Sequence, residues 1–190
     1  MRKLVIILVA LLVVCGLAFA AGPSGSGMTL VPWVDKGSLI VNADIGWGLT
    51  AGAEYDFARI NIANVVPITF GAAARVSWDP GLLLDYSSFG LGALVTAHVG
   101  LKSVSLPSGL SWASHFDFYA GLGLGIGSLS LAGYTFPLGF GISTFEGTSY
   151  YFNDKFALNL EYGYLGRSTD NTGYYTYSVY YWGVGAVLKL

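Results

Sequence analysis

The chain has 190 residues, a one-domain length, with 54% hydrophobic and only 11% charged residues. A water-soluble domain carries about a quarter charged residues, so this chain is short of groups to face water. Beyond the N-terminus no run of about 18 apolar residues marks a membrane helix, which leaves a closed β-barrel as the lipid-compatible class.

The first 20 residues read as a signal peptide. Arg2 and Lys3 form a basic start, Leu4 to Val14 an apolar stretch, and Ala18-Phe19-Ala20 a cleavage site. The alternatives are an uncleaved anchor and lipidation at Cys15, although Val14 is bulky for a residue before a lipidated cysteine. Residues 21–37, with Gly22-Pro23-Ser24-Gly25-Ser26-Gly27, read as a flexible lead-in to a barrel domain over 38–190. Cleavage removes the single cysteine, and with it any thiol chemistry. Without Arg2 and Lys3, seven of the nine basic residues remain against eleven acidic ones. No basic patch forms, which argues against a nucleic-acid partner.

Strand periodicity begins at Ser38. From Leu39 to Phe57 one face is apolar, including Val41, Ile45, Trp47 and Tyr55, while the other carries Asp44, Glu54 and Asp56. Nineteen residues exceed the 9–11 that cross a bilayer, and single-chain barrels use even strand numbers. The stretch is therefore predicted to be a hairpin, Ser38 to Ile45 and Leu49 to Phe57, turning at Gly46-Trp47-Gly48 without loss of parity. The pattern pauses from Arg59 to Asn64 and resumes over Val66 to Trp78, with Arg75 on the small-residue face, until Asp79-Pro80-Gly81 stops it. Leu82 to Tyr86 reads as an apolar loop.

Phe89 to Leu101 alternates with a face containing Thr96, His98 and Lys102, and Ser103 to Ser114 reads as a connection. Phe116 to Ile126 alternates with His115, Asp117, Tyr119 and a glycine series, explained by a narrow interior rather than a phosphate loop. Leu138 to Phe152 would put Glu146 on the apolar face. A charge there costs on the order of 2–4 kcal/mol in lipid, so a bulge near Ser143-Thr144 is predicted, turning Phe145, Ser149 and Tyr151 outward and Glu146 inward. Asn153-Asp154 turns into a strand with Ala157, Asn159 and Glu161 inward. Gly166 to Gly173 reads as a polar loop, and the last strand sets Tyr180, Trp182 and Leu188 against Tyr181 and Lys189.

Tyr150 to Tyr164 (YYFNDKFALNLEYGY) and His115 to Gly127 (HFDFYAGLGLGIG) resemble the penultimate hairpin and fifth strand of small eight-stranded outer-membrane barrels of the outer-membrane protein W, X and A type. The resemblance implies an all-β, eight-stranded antiparallel up-and-down transmembrane barrel in the bacterial outer membrane; the chain is read as a monomer and not as an enzyme. The resemblance also implies recognition of the C-terminal strand by the barrel assembly machinery. That strand commonly ends in Phe or Trp in the family, but here in Leu190. A lipocalin-like soluble barrel is the structural rival, but it would need bulky residues inside and charges outside.

The expected lumen collects Asp44, Glu54, Asp56, Arg75, His98, Asp117, Glu161 and Lys189, with Lys102. Eight strands leave room only for side chains, so these charges should pair, with Arg75 reaching Glu54, Asp117 or Glu161. The network reads either as a plug or as a polar path. Trp47, Trp78, Tyr162, Tyr164, Tyr180 and Trp182 are expected as an interfacial girdle against outer-membrane lipid. Tyr174, Tyr175 and Tyr177 could instead stack a carbohydrate.

His98 and His115 with Ser103, Ser105, Ser111 and Ser114 are the only materials for a lipid-modifying hydrolase, and they suit a lumenal or rim role better. No ligand spacing along the chain suggests a metal or cofactor. Leu82-Leu83-Leu84 and Leu131 to Pro137 are the candidates for contact with a small apolar ligand that passes sideways into the bilayer.

Overall fold

The computed structural model describes residues 31–62, 66–81, 86–100, 102, 108–170, 173 and 175–190. The expected signal peptide, most of the lead-in, Leu82-Leu83-Leu84, Ser103, Ser105 and Tyr174 lie outside the described residues. Eight strands follow in chain order: β1 Leu39–Gly46, β2 Gly48–Ile62, β3 Val66–Asp79, β4 Tyr86–Gly100, β5 Phe116–Leu131, β6 Tyr134–Tyr151, β7 Phe156–Thr169 and β8 Thr176–Lys189. Each pairs antiparallel with the next, and β8 pairs with β1 to close the barrel. Closure removes the free sheet edges that an open sheet would leave unpaired.

The opening hairpin forms as predicted. Gly46 pairs with Gly48 around Trp47, Gly48 takes a φ of +83°, and the Trp47 N–H crosses to the Trp182 carbonyl. The pause in periodicity after Phe57 is no loop. β2 continues to Ile62 after the register slips between Asp56 and Ala58, which changes the parity of the strand. Tyr86 belongs to β4 rather than to the loop before it. The connection before β5 contains a 3-10 helix, Ser108–His115. The expected loop from Gly166 is largely strand: Arg167 to Thr169 pair with Ser178 to Thr176. At Gly166 β7 bulges with a φ of +66°, a conformation that glycine adopts without a Cβ clash.

The bulge expected at Ser143-Thr144 is absent. β6 pairs straight through, Gly139 to Tyr150 with β5 and Thr144 to Tyr151 with β7. Phe145, Ser149 and Tyr151 are therefore buried inside, and Glu146 lies on the outward parity. Packing explains this register. Gly121 and Gly163 have no side chains, and a Cβ at either would strike Phe145, at 2.5 Å from its ring and 2.8 Å from its Cβ respectively. Gly147 makes the reciprocal space for the Tyr119 ring. Glycines on the inner wall thus leave sockets for neighbouring aromatics, and filling them fixes the register more firmly than keeping one carboxylate off the outer face. The segment Leu131 to Pro137 is a hairpin turning at Ala132-Gly133, both with positive φ, and its Phe136 packs inward against Tyr177 at 4.9 Å.

The outer face of the wall is apolar. Ile45, Val95, Leu122, Leu124, Phe140, Ile142, Leu158 and Leu160 are all exposed there, while the carboxylates of β1, β2, β5 and β7 are buried inside. At the proximal end, where both termini of the barrel meet, the segment 31–37 places residues 32–34 inside the lumen. These residues fall within the stretch 21–37 that reads from the sequence as a flexible lead-in. Instead Val34 is fully buried, and Trp33 stacks on Tyr151 at 4.9 Å, 3° from parallel. The Thr69 hydroxyl donates to the Val34 carbonyl at 2.7 Å, and the Trp33 indole N–H to the Ser114 carbonyl at 2.7 Å.

Candidate functional site: the lumen

The interior is stacked in three layers. The proximal layer is the apolar plug of Trp33, Val34, Ile40, Tyr151, Ala157 and Val187. The distal layer is a second apolar cluster of Ala73, Leu94, Tyr119, Phe145, Leu165 and Tyr181. Between and alongside them lies the polar network, placed there because strand alternation aims every second side chain of β1, β2, β3, β4, β5 and β7 inward.

Two cationic or potentially cationic side chains organise it. Arg75 of β3 contacts Glu54 across β2 at 3.3 Å and Glu161 on the far wall at 3.3 Å, and its guanidinium lies 4.5 Å from the Phe145 ring centroid. A planar fork with several donors can serve two carboxylates from one position, which an ammonium does less well. His98 of β4 bridges two others, with Nε2 2.8 Å from Glu54 Oε1 and Nδ1 2.7 Å from Asp117 Oδ2. The Thr96 hydroxyl also donates to Glu54. Arg75 therefore reaches Glu54 and Glu161, while Asp117 belongs to His98.

Asp44 is held by neutral amides. Asn159 Nδ2 donates to its Oδ1 at 2.7 Å and Asn42 Nδ2 to its Oδ2 at 2.5 Å. Tyr181 Oη donates to Glu161 at 2.7 Å, and Tyr119 Oη donates to Asn159. The sequence marks Thr96, Tyr119, Asn159 and Tyr181 by their inward parity alone and not as members of the network, and Asn42 shares that parity. Asp56 is fully buried, and among the described residues neither of its oxygens has a hydrogen-bond partner; Asp117 Oδ1 also lacks one. Ligand atoms of Glu54, Asp56 and His98 lie within 4.8 Å of one another, a grouping that could hold a metal.

The remaining predicted charges sit at the proximal rim. Lys189 Nζ donates to the Trp33 carbonyl at 2.6 Å, and Lys102 leaves the lumen to pair with Asp154. Its hydrogen bond and charge hold the Asp154 carboxyl below the usual range. His115 stands half-buried at the same rim, stacked between Trp33 and Tyr150, with Nδ1 2.6 Å from the Tyr151 carbonyl. The hydroxyls of Ser111 and Ser114 donate to backbone carbonyls of their own helix. Among the described residues, the hydrogen-bond partners of these serines and histidines do not form a nucleophile–base pair.

The cavity lined by Asn42, Glu54, Arg75, His98, Tyr119 and Asn159 measures about 10 Å³, close to the minimum that admits one water. The girdle residues Trp47, Trp78, Tyr162, Tyr164, Tyr180 and Trp182 all point outward, and Tyr180 stacks on Tyr162 and meets Tyr164 edge-on.

Wall and lumen together define a class: an eight-stranded, up-and-down antiparallel barrel with a filled polar interior. No protein-family model matches the chain, and no curated protein matches its sequence. Among solved structures it is similar to Ail, the attachment invasion locus protein of Yersinia pestis, at 15% identity and a TM-score of 0.44, over 83% of this chain and all of that one. It is also similar to Neisserial surface protein A, at 13% identity and a TM-score of 0.41, over 80% of this chain and 92% of that one.

Proposed function

We propose that the protein is an integral barrel of the bacterial outer membrane, sealed inside, that acts as a non-conducting, non-enzymatic scaffold for surface contacts. One observation carries this reading: the polarity of the wall is inverted. Large apolar side chains cover its outside, whereas Asp44, Glu54, Asp56, Arg75, His98, Asp117 and Glu161 are buried within. In water such a wall would expose its apolar face at great cost, and in lipid it meets a matching solvent. The outward aromatics then serve as the interfacial girdle. Apolar layers on both sides of the Arg75 network support a closed lumen. The distal extensions of β5–β6 and β7–β8 supply the surface for contacts with other molecules. Heat-modifiable migration on a denaturing gel tests the barrel, and planar bilayers test the seal. Reproducible open-channel steps from the folded protein would overturn the scaffold reading.

One observation favours lateral passage of small apolar solutes as a second reading. The β6–β7 ladder stops at Thr144 and Tyr164. Beyond it the hairpins are joined by the Gly166 N–H to Ser143 Oγ, at 2.9 Å, and by Ser168 Oγ to the Pro137 carbonyl, at 2.5 Å. Uptake that is unchanged when a disulfide bridges β6 and β7 at this level would argue against that route.

A further inference from the structure

We propose that Glu54, Asp56 and His98 bind a divalent transition-metal cation of the Mn²⁺ or Zn²⁺ kind inside the lumen. The site is assembled by the ladder. β2 turns both Glu54 and Asp56 inward, and β4 turns Thr96 and His98 inward two strands away. Between them on β3 stands Gly71, paired with Asp56 on one side and Thr96 on the other. A Cβ there would lie 2.7 Å from Asp56 Oδ1, 2.7 Å from Thr96 Oγ1 and 2.8 Å from Glu54 Oε1. Three oxygens thus converge over a position that has no side chain.

The second observation is Asp56 itself. It is fully buried, both its oxygens lack a hydrogen-bond partner among the described residues, and it belongs to a cluster whose ligand atoms lie within 4.8 Å of one another. Nearby cations are engaged elsewhere: Arg75 with Glu54 and Glu161, Arg59 with Asp35, Lys102 with Asp154, and Lys189 with the Trp33 carbonyl. A doubly protonated His98 would satisfy Glu54 and Asp117 and still leave Asp56 alone. A metal ion held by Glu54, Asp56 and His98 gives Asp56 its missing partner. His98 then donates its Nδ1 proton to Asp117 and offers the Nε2 lone pair to the ion, the arrangement by which a carboxylate behind a histidine fixes the ligating tautomer. Two carboxylates and one imidazole suit Zn²⁺ or Mn²⁺, with water or Thr96 completing the shell. Because Trp33 and Val34 close the proximal end, the ion is enclosed as the barrel folds.

The test is to refold the full chain into detergent with Zn²⁺, with Mn²⁺ or with EDTA, dialyse it, confirm the folded gel band, and count bound metal by mass spectrometry. Wild type should hold about one ion per barrel, Asp56→Asn, His98→Gln and Gly71→Ala less than about a tenth of that, and Glu146→Gln on the outer face the wild-type amount. Wild type without metal under both ions, or equal metal in Asp56→Asn and wild type, overturns the proposal. If the variants fail to reach the folded band, X-ray absorption of the loaded wild type decides. An oxygen shell with one imidazole supports the site, and a shell lacking imidazole refutes it.

Discussion

Replacing Arg75 by Met is the most informative perturbation of the lumen. The guanidinium is 4% exposed and holds Glu54 and Glu161, each at 3.3 Å and each 1% exposed. Removing it strips Glu161 of its cation and leaves it only neutral partners such as Tyr181, while Glu54 keeps His98 and Thr96. Breaking a buried pair from one side costs about 3–5 kcal/mol, because the remaining charge is left uncompensated. The folded-to-unfolded ratio then falls by about two to four orders of magnitude. With a urea m-value of about 2 kcal/mol/M, the unfolding midpoint should drop by about 1.5–2.5 M. The assay is urea titration in lipid vesicles, followed by tryptophan fluorescence and by the heat-modifiable gel shift. Adding Glu161→Gln to Arg75→Met should recover at least about 1 kcal/mol, since the stranded charge is removed and Tyr181 keeps its acceptor. A single variant within about 0.5 kcal/mol of wild type would refute the view that Arg75 neutralises the lumen.

Gly166→Ala should destabilise the barrel by about 2 kcal/mol or more, since the left-handed conformation alone costs about 1–2 kcal/mol and the new Cβ would stand 2.5 Å from the Gly127 nitrogen; an unchanged urea midpoint would contradict this. Trp33→Ala should cost about 3–5 kcal/mol, as for other buried aromatics, yet leave planar bilayers without conductance, because the distal cluster around Phe145 still closes the lumen. Current through this variant would show that the proximal plug is the seal. If the wall stands in lipid as proposed, Glu146→Leu should stabilise the barrel in vesicles by about 1 kcal/mol, by removing a carboxylate from the outward parity. Destabilisation of this variant would mean that the β6 outer face meets something other than lipid.

Much of the fold is legible in alternation alone. The parity of β1, β3, β4, β7 and β8 places Asp44, Arg75, His98 and Glu161 inside without reference to any neighbour. β6 is not legible in this way, because its register depends on sockets opposite it: Phe145 fits inward only because Gly121 and Gly163 face it from adjacent strands. Weighing the single charge of Glu146 against lipid led to the wrong face, as the packing of Phe145, Ser149 and Tyr151 outweighs that one term. The slip after Asp56 is equally silent, since a bulge shows in the sequence only as lost rhythm. The network members were identifiable, but not their pairing. Arg75 and Glu161 are 86 residues apart and meet across the lumen.

The lengths of the ladders have a mechanical consequence. The β7–β8 hairpin is zipped internally from Phe156 to Thr169, whereas its ladders run along Thr144–Tyr151 of β6 and Ile40–Gly46 of β1, with single bonds to Ser143, Pro137 and Trp47 beyond them. Parting the ring on both sides of this C-terminal hairpin leaves the hairpin's own ladder of hydrogen bonds intact. When the hairpin is parted in this way, Asn159, Glu161 and Tyr181 go with it, so Asp44 loses one of its two amides and Arg75 loses one of its two carboxylates in the same movement. The polar network is thus a latch whose halves are carried on the two parts of the wall, and it is fastened only when the circle is complete.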